Sequence, residues 1–303
     1  MFACIDLGGT NLRGTWVSGS GERGEVNLIA RPRTLEGTKE SLLALISSIR
    51  KDASSNLRGV GLATAGPLDH RSRQYLQTSN MPELNFFKMG DFLNEQTGLM
   101  VSMDNDAQAA ALGETWQGCL AGEQEAVVIT LGTGVGSGVI MDGDIWRANH
   151  FTGPELGHLY LGPGRRKRCG CGQVGCAETW LNKEALVDLC QDEGMFGSDV
   201  RDLHQAVDNR EPRALKVMER YGRRLGLYLS SLQVIFGVRS IGLSGGLSSF
   251  LPYCEDWVWD TLRKRFQHRS WWLPERIAAS SDPEMSALLG MARTLVMAEE
   301  GRW

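Results

Sequence analysis

The segment IDLGGT at residues 5–10 has a similar counterpart later in the chain, TLGTGVG at residues 130–136. Each is an apolar run that ends in a glycine-rich turn and continues into a second β-like run, at residues 12–17 and 137–141. The pattern predicts two β-hairpins about half a chain apart. Backbone amides exposed in such turns suit phosphate oxygens, so two turns of one design favour a nucleotide phosphate tail as the ligand.

The composition is that of an ordinary globular protein. Of 303 residues, 42% are apolar and 22% are charged, which argues against a disordered or coiled-coil chain. The formal charge of −4 gives no reason to expect nucleic acid or an anionic membrane as partner. Because no basic segment precedes the first apolar run and no run reaches about 18 apolar residues, we expect neither signal peptide nor membrane span, and a cytoplasmic location.

Short β-like runs alternate with helical patterns, the longest helix extending from Ala214 to Ile235. This alternation predicts an α/β fold with open sheets. The length predicts two domains, residues 1–115 and 116–303, with a C-terminal helix at about residues 284–300 that packs back on the first. The predicted strands are Phe2–Leu7, Val60–Thr64, Met100–Met103, Ala126–Leu131 and Ile241–Ser244.

The first glycine turn has two interpretations. Asp6 can hold a metal ion or its bound water, and the Thr10 hydroxyl adds a donor for phosphate; a tight hairpin with a buried Asp explains the same residues. Neither glycine turn is followed by the Gly-Lys-Ser/Thr of a Walker A loop. Gly8 and Gly9 lead into a second strand rather than a helix, which excludes a Rossmann fingerprint.

Asn105 and Asp106 stand where a predicted strand gives way to a helix. Asp106 is well placed to cap that helix, and acids do so often. The carboxyl end of a strand is also where α/β proteins bind ligands, so Asp106 can equally act as a general base toward a substrate hydroxyl. Asn105 would then hold a neighbouring hydroxyl.

His158 is followed by three cysteines within eight residues, Cys169, Cys171 and Cys176. One imidazole and three thiolates satisfy a tetrahedral zinc ion and leave no open position, which predicts a structural metal. A reduced cysteine-rich loop without metal is the alternative. Glu155 and Glu178 flank the cluster, and we expect them to bind sugar hydroxyls unless they are ordinary surface or capping acids.

The motifs together resemble the ROK family of sugar kinases and sugar-responsive repressors, within the actin-like ATPase superfamily. The matching segments follow the family order along nearly the whole chain. They are Asp6–Thr10, Ala65–Pro67, Asn80–Pro82, Asn105–Ala107, Leu131–Gly136, Glu155–His158, Cys169–Cys176 with Glu178, and Ser244–Gly246.

The resemblance implies a two-lobed actin-like (ribonuclease H-like) α/β fold that closes on MgATP and a hexose, with Asp106 as the base for the 6-hydroxyl. The implied sugar-binding residues are Gly66, Asn80, Asn105, Glu155, His158 and Glu178. The implied nucleotide-binding residues are Asp6, Gly8, Gly9, Thr10, Thr133, Gly134, Gly245 and Gly246. The implied ligands of a structural Zn²⁺ are His158, Cys169, Cys171 and Cys176.

The expected activity is that of a glucokinase-like, ATP-dependent hexose kinase, with Mg²⁺ accompanying the nucleotide. N-acetylmannosamine or N-acetylglucosamine is the alternative sugar. A sugar-responsive repressor is the alternative class, but its helix-turn-helix would precede the first glycine turn, which here begins at residue 8. One departure from the family is the segment Ser281–Met285, which replaces a Gly-Asp-x-Ala-Gly motif. Relatives are commonly dimers or tetramers, so we expect a homo-oligomer.

Overall fold

The computed structural model describes residues 1–54, 56–78, 80–147, 152–163, 167–195, 197 and 199–302. The strands are β1 (Phe2–Leu7), β2 (Asn11–Val17), β3 (Asn27–Ala30), β4 (Gly59–Thr64), β5 (Leu68–Asp69), β6 (Gln74–Tyr75), β7 (Met100–Asn105), β8 (Ala126–Leu131), β9 (Val135–Met141), β10 (Asp144–Ile145), β11 (Ser240–Ser244) and β12 (Arg276–Ala279). The helices are α1 (Leu35–Asp52), α2 (Met89–Thr97), α3 (Asp106–Trp116), α4 (Glu178–Leu181), α5 (Lys183–Asp192), α6 (Val200–Asp208), α7 (Pro212–Phe236), α8 (Leu251–Arg265) and α9 (Ser286–Glu299).

The first sheet has five strands in the order β3-β2-β1-β4-β7. β1 pairs antiparallel with β2 and parallel with β4, and β4 pairs parallel with β7. The register places Leu7 opposite Thr64 and Thr64 opposite Asn105. The three parallel strands therefore end side by side, and the turns that follow them leave from one edge of the sheet.

The second sheet also has five strands, in the order β10-β9-β8-β11-β12. β11 runs parallel to both β8 and β12, and Ser244 at its end lies opposite Thr130. Each sheet thus contains the strand, glycine turn and strand that the sequence predicts, as β1–β2 and β8–β9. The other predicted strands are confirmed, and β7 extends two residues further than predicted, to Asn105. The predicted helix from Ala214 to Ile235 is α7, and the predicted C-terminal helix is α9.

The chain divides into two compact units. Unit 1 comprises Met1–Gln124, Gly138–Pro154 and Ser281–Trp303, and unit 2 comprises Glu125–Ser137 and Glu155–Ser280. Unit 1 extends past the sequence-based boundary after residue 115 to Gln124, and it takes in Gly138–Pro154 as well as the C-terminal segment. Hydrophobic pattern reports which residues are buried, not which distant segment buries them.

The C-terminal helix α9 packs inside unit 1, against α3 and strands of the first sheet. Its apolar residues, among them Leu288, Met291 and Leu295, share one buried cluster with Phe2 and Cys4 of β1. Glycines bring the α3 and α9 backbones together: a Cβ on Gly290 would lie 1.7 Å from the carbonyl oxygen of Ala109, and one on Gly113 would lie 2.0 Å from that of Ser286. Within the described part of the chain, no helix is long and apolar enough to cross a membrane.

We expect Gly290→Ala to lower the free energy of unfolding by about 1–3 kcal/mol, since the added methyl group meets a helix backbone that has to move. The loss should appear although alanine favours helix over glycine. Gly19→Ala is the matched control, because a Cβ there comes no closer than 3.5 Å to a flexible Arg58 side chain. Urea denaturation of the three proteins measures the effect, and equal stability of wild type and Gly290→Ala would contradict the proposed close packing.

Candidate active site and metal centre

Two acidic residues, Asp6 and Asp106, lie at the edge of the first sheet where the parallel strands end. Asp6 is on β1, and its Oδ2 lies 3.3 Å from Nε of Arg13 on β2. Burial raises the pKa of Asp6 to about 6, and the negative charge of Asp106 raises it further than Arg13 lowers it. The two carboxyls are therefore coupled electrostatically.

Asn105, not Asp106, caps the helix that follows β7. The Asn105 side chain accepts hydrogen bonds from the backbone N–H groups of Ala107 and Gln108, at 2.9 and 3.3 Å. The capping interpretation of Asp106 is therefore wrong, since Asp106 is already the first residue of α3. Asn105 takes the cap because its extended backbone aims the side chain at the free amides of the first turn.

Asp106 occupies a site that favours its neutral form. Burial is the largest cause raising the pKa of its carboxyl, and the charge of Asp104 adds to it. A hydrogen bond from the backbone N–H of Ala107 to Oδ1, at 2.8 Å, opposes the shift. A carboxylate whose pKa lies above the ordinary value is a stronger base than a free one, which suits proton abstraction from a hydroxyl.

Behind Asn105 and Asp106 lies a buried ion pair that the sequence analysis missed. Asp104 is 1% exposed, and its Oδ1 accepts from Nη1 of Arg147 at 3.0 Å. The same Nη1 donates to the side-chain oxygen of Gln108 on α3 at 2.7 Å. No local signal marks Arg147, because its partners lie 43 and 39 residues away along the chain.

The first glycine turn joins β1 to β2. Gly8 donates its N–H to the carbonyl oxygen of Asn11 at 2.9 Å, and Gly9 and Thr10 are exposed. Neither Gly8 nor Gly9 has a positive φ. A Cβ on Gly9 would meet nothing within 4 Å, so this glycine leaves open space in front of the backbone.

Gly66 and Asn105 lie together. A Cβ on Gly66 would come within 3.1 Å of Nδ2 of Asn105, so the glycine makes room for the amide. Asn80 is exposed and directly precedes Met81 and the 3₁₀ turn Pro82–Leu84. Buried Met81 and Leu84 anchor this segment in the core.

In unit 2, Glu178 and the second glycine turn form one local structure. Glu178 begins α4, and its Oε2 accepts from the backbone N–H of Val135 at 3.1 Å. A Cβ on Gly134 would lie 2.7 Å from that oxygen. Thr133 at the tip of the turn is exposed. Glycine at position 134 therefore lets a carboxylate reach the backbone of the turn.

The end of β11 meets the start of the same turn. Gly245 has a φ of +79°, and a Cβ there would lie 2.5 Å from the carbonyl oxygen of Leu131. Leu131 also accepts a backbone hydrogen bond from Leu247 at 3.0 Å. Gly246 is exposed, and a Cβ on it would meet nothing within 4 Å. Two of the predicted nucleotide-binding segments are thus adjacent within unit 2.

The predicted metal ligands converge on one point. The side-chain ligand atoms of His158, Cys169, Cys171 and Cys176 all lie within 4.8 Å of one another. Sγ of Cys169 is 3.4 Å from Nδ1 of His158, and the sulfurs of Cys171 and Cys176 are 3.6 Å apart. A tetrahedral zinc ion with sulfur ligands at about 2.3 Å needs neighbouring ligand atoms roughly 3.5–3.8 Å apart. The donor set and its spacing fit such an ion.

The backbone explains how so short a loop brings three sulfurs together. Gly172 and Gly175 have φ values of +87° and +91°, which reverse the chain on either side of Val174. Short β-bridges join Arg168 to Val174 and Tyr160 to Cys176. Positive φ at both positions is accessible to glycine at little cost, so the glycine spacing sets the shape of the loop.

The two flanking acids are placed differently. Glu178 reaches the cluster, since Sγ of Cys169 donates to its Oε1 at 3.1 Å. Glu155 is exposed and leads into the 3₁₀ turn Leu156–His158, where its carbonyl oxygen accepts from the N–H of His158 at 3.0 Å. That turn sets the backbone relation between Glu155 and His158, both of which face solvent.

We expect Asp106→Asn to lower the pKa of Asp6 below its value of about 6, because the substitution removes a negative charge that disfavours ionisation of Asp6. Titration of the aspartate carboxyl carbons by NMR measures the shift. Asp52→Asn, an exposed acid on α1, is the control and should leave the pKa of Asp6 unchanged. An unchanged Asp6 titration in Asp106→Asn would contradict the electrostatic coupling of the two carboxyls.

Comparison with known proteins agrees with this architecture. The ROK family profile matches residues 2–298. The glucokinase of Halalkalibacterium halodurans is 28% identical over 269 residues, covering 80% of this chain and 79% of the relative. The N-acetylmannosamine kinase of Escherichia fergusonii is 27% identical over 245 residues, covering 80% and 82%.

Among solved structures, the ROK hexokinase of Thermus thermophilus matches with a TM-score of 0.84 and 29% identity over 99% of both chains. The predicted actin-like α/β fold class is thereby confirmed. With the family profile extending over nearly its whole length, the chain belongs to the ROK family.

Proposed function

We propose that the protein is an ATP-dependent kinase that phosphorylates the 6-hydroxyl of a hexose, with glucose as the first candidate. The observation that carries the proposal is the Asn105–Asp106 pair at the edge of the first sheet. Asn105 caps α3, and the carboxyl of Asp106, with its raised pKa, stands beside it. The kinase names of its relatives support the same activity.

Asp106 is proposed as the general base. It accepts the proton of the sugar 6-hydroxyl as the oxygen attacks the γ-phosphorus, a contribution worth roughly 10²–10⁴ in rate. Its backbone position is secured by the helix cap and by the Asp104–Arg147 pair behind it. Asn105 and Gly66 are proposed to bind the hydroxyls nearby, and Asn80 to bind another.

The glycine turns are proposed to bind the nucleotide. Gly8, Gly9 and Thr10 expose backbone amides and one hydroxyl, which are donors that phosphate oxygens accept. Asp6 offers a carboxylate oxygen, the ligand type that Mg²⁺ prefers, and Mg²⁺ neutralises charge on the phosphates when bound. In unit 2, the proposed nucleotide-binding residues are Thr133, Gly134, Gly245 and Gly246.

Glu155, His158 and Glu178 are proposed to bind sugar hydroxyls. Carboxylates accept hydrogen bonds from hydroxyls, and Glu155 and His158 are held in one 3₁₀ turn. Nδ1 of His158 faces Cys169, so Nε2 is the ring nitrogen proposed to form a hydrogen bond with a sugar hydroxyl. This division of one ring between metal and ligand orients the imidazole.

Zn²⁺ is proposed as a structural ion held by His158, Cys169, Cys171 and Cys176. Four protein ligands leave no position for a reactive water, so the ion would order the loop and not take part in phosphoryl transfer. His158 is itself a proposed ligand of the ion, and Glu178 follows Cys176 by two residues, so the ordered loop carries two of the proposed sugar ligands.

Glucose, N-acetylmannosamine and N-acetylglucosamine are the candidate sugars. Glucose ranks first because two segments look most like glucokinase-type members. They are Glu155–His158, and the Asn105–Ala107 motif followed by Ala110–Glu114. N-acetylmannosamine and N-acetylglucosamine remain candidates, since relatives at about the same identity bear those names. One or two substituents distinguish these sugars, a difference worth about 1–3 kcal/mol each in a pocket.

Turnover of MgATP against glucose, mannose, fructose, allose, N-acetylglucosamine and N-acetylmannosamine tests the proposal. We expect sugar-dependent ADP release on at least one, falling about 10²–10⁴-fold in Asp106→Asn because the base is lost. In the wild type the rate should decline as the pH falls through about 6, where Asp6 takes up its proton. Asp52→Asn is the control. A folded, zinc-loaded protein that is silent on every sugar would favour a non-catalytic sugar sensor.

Metal analysis tests the zinc site. We expect about one zinc per chain in the purified wild type and a large loss in Cys171→Ser, because hydroxyls are poor zinc ligands. Cys190→Ser, a buried cysteine on α5 outside the cluster, should retain the metal. Elemental analysis after exhaustive dialysis is the measurement. Equal zinc content in Cys171→Ser and wild type would remove Cys171 from the ligand set.

A further inference from the structure

Arg31 is a buried cation that no motif of the sequence marks. It follows directly after β3, and its side chain is 1% exposed. Burying a guanidinium is costly unless its donors and its charge are matched. The contacts of Arg31 therefore identify what it holds in place.

One set of contacts is to the first glycine turn. The carbonyl oxygen of Gly9 accepts from Nη2 of Arg31 at 3.0 Å and from Nε at 3.3 Å. The backbone N–H of Arg31 donates to the carbonyl oxygen of Thr10 at 2.8 Å. Because a peptide group is planar and trans, fixing the Gly9 carbonyl also fixes the direction of the Thr10 N–H, which points the opposite way. Arg31 thus orients an amide in the proposed phosphate-binding turn.

The other set of contacts is to the segment that follows Asn80. Nη1 of Arg31 donates to Oε1 of Glu83 in the 3₁₀ turn Pro82–Leu84, at 2.5 Å. The same Nη1 also donates to Oγ1 of Thr38 on α1, at 3.3 Å. Burial acts to raise the pKa of Glu83, but the hydrogen bond and charge of Arg31 outweigh it and hold that pKa below the ordinary value. Glu83 is therefore ionised at neutral pH and bound to Arg31.

We propose that Arg31 is a positioning residue that couples the Asn80–Leu84 segment to the Gly8–Thr10 turn, so that sugar binding at the first orients the turn for the nucleotide. One rigid, planar guanidinium contacts both segments, and so a shift of one is transmitted to the other. The proposal rests on the proposed function, which assigns Asn80 to the sugar and Thr10 to the phosphates. It predicts that hexose and MgATP bind with positive cooperativity.

Glu83→Gln is the decisive variant. The amide oxygen still accepts from Arg31 and the side chain keeps its size, so folding should survive, but the charge that holds the guanidinium is lost. Arg31→Lys keeps the charge and loses the planar fork that serves both segments at once. Glu299→Gln is the matched control, since Glu299 pairs with Arg58 at 2.9 Å in the same unit, far along the chain from either segment.

Calorimetry measures the coupling as the ratio of the dissociation constants of AMPPNP–Mg²⁺ without and with saturating sugar, using the best substrate of the panel. We expect a ratio of about fivefold or more in the wild type and in Glu299→Gln. In Glu83→Gln and Arg31→Lys the ratio should approach one, with the KM for sugar raised more than kcat is lowered. A ratio equal in wild type and Glu83→Gln, or a wild-type ratio of one in an active enzyme, overturns the proposal.

Amide hydrogen exchange of the free protein provides a readout that needs no activity. Glu83→Gln should speed exchange in both the 8–11 and 80–85 segments, whereas Glu299→Gln should speed it in neither. If no sugar of the panel is turned over, the proposed function fails and this exchange result alone decides the coupling. Unchanged exchange at 8–11 in Glu83→Gln would show that Arg31 does not link the two segments.

Discussion

The parallel pairing of β1, β4 and β7 is the constraint on which the candidate site of unit 1 depends. Hydrogen bonds in register align Leu7, Thr64 and Asn105 at one edge of the sheet. A shift of one residue would turn each side chain to the opposite face. The register therefore decides that Asp6, the turn after it and the Asn105–Asp106 pair are neighbours, although they come from opposite ends of a span of about 100 residues.

Buried charges hold the segments that leave this edge. Arg147 pairs with Asp104 beneath the start of α3, and Arg31 pairs with Glu83 beneath the first glycine turn. Such pairs seldom add much to the free energy of unfolding, because desolvation offsets their attraction. Their effect here is geometric: each guanidinium directs several donors at once and so fixes the backbone next to a proposed reactive group.

In the described part of unit 2, the backbone near the proposed site is held by a cysteine-rich loop and not by a buried ion pair. The loop at residues 167–178 has little apolar material of its own. Its shape comes from glycines with positive φ, and its three cysteines converge with His158 as the proposed zinc ligands. A bound zinc ion would supply the stability that a hydrophobic core supplies elsewhere. Glu178, at the end of this loop, accepts from the backbone N–H of Val135 and so joins the loop to the second glycine turn.

The amino-acid sequence alone was enough for the α/β class, the two glycine hairpins, the family and the membership of the Cys/His cluster. These features are carried by residues close together in the chain, where apolar periodicity and fixed spacing act directly. It was not enough for the Asn105 cap, which depends on backbone direction, or for the return of Gly138–Pro154 to unit 1. Nor did it reveal Arg31 and Arg147, since an isolated arginine becomes informative only when folding buries it against partners more than 20 residues away. Tertiary packing decides which acceptors lie near each arginine. A buried guanidinium must form hydrogen bonds with them, because burying it without acceptors is costly.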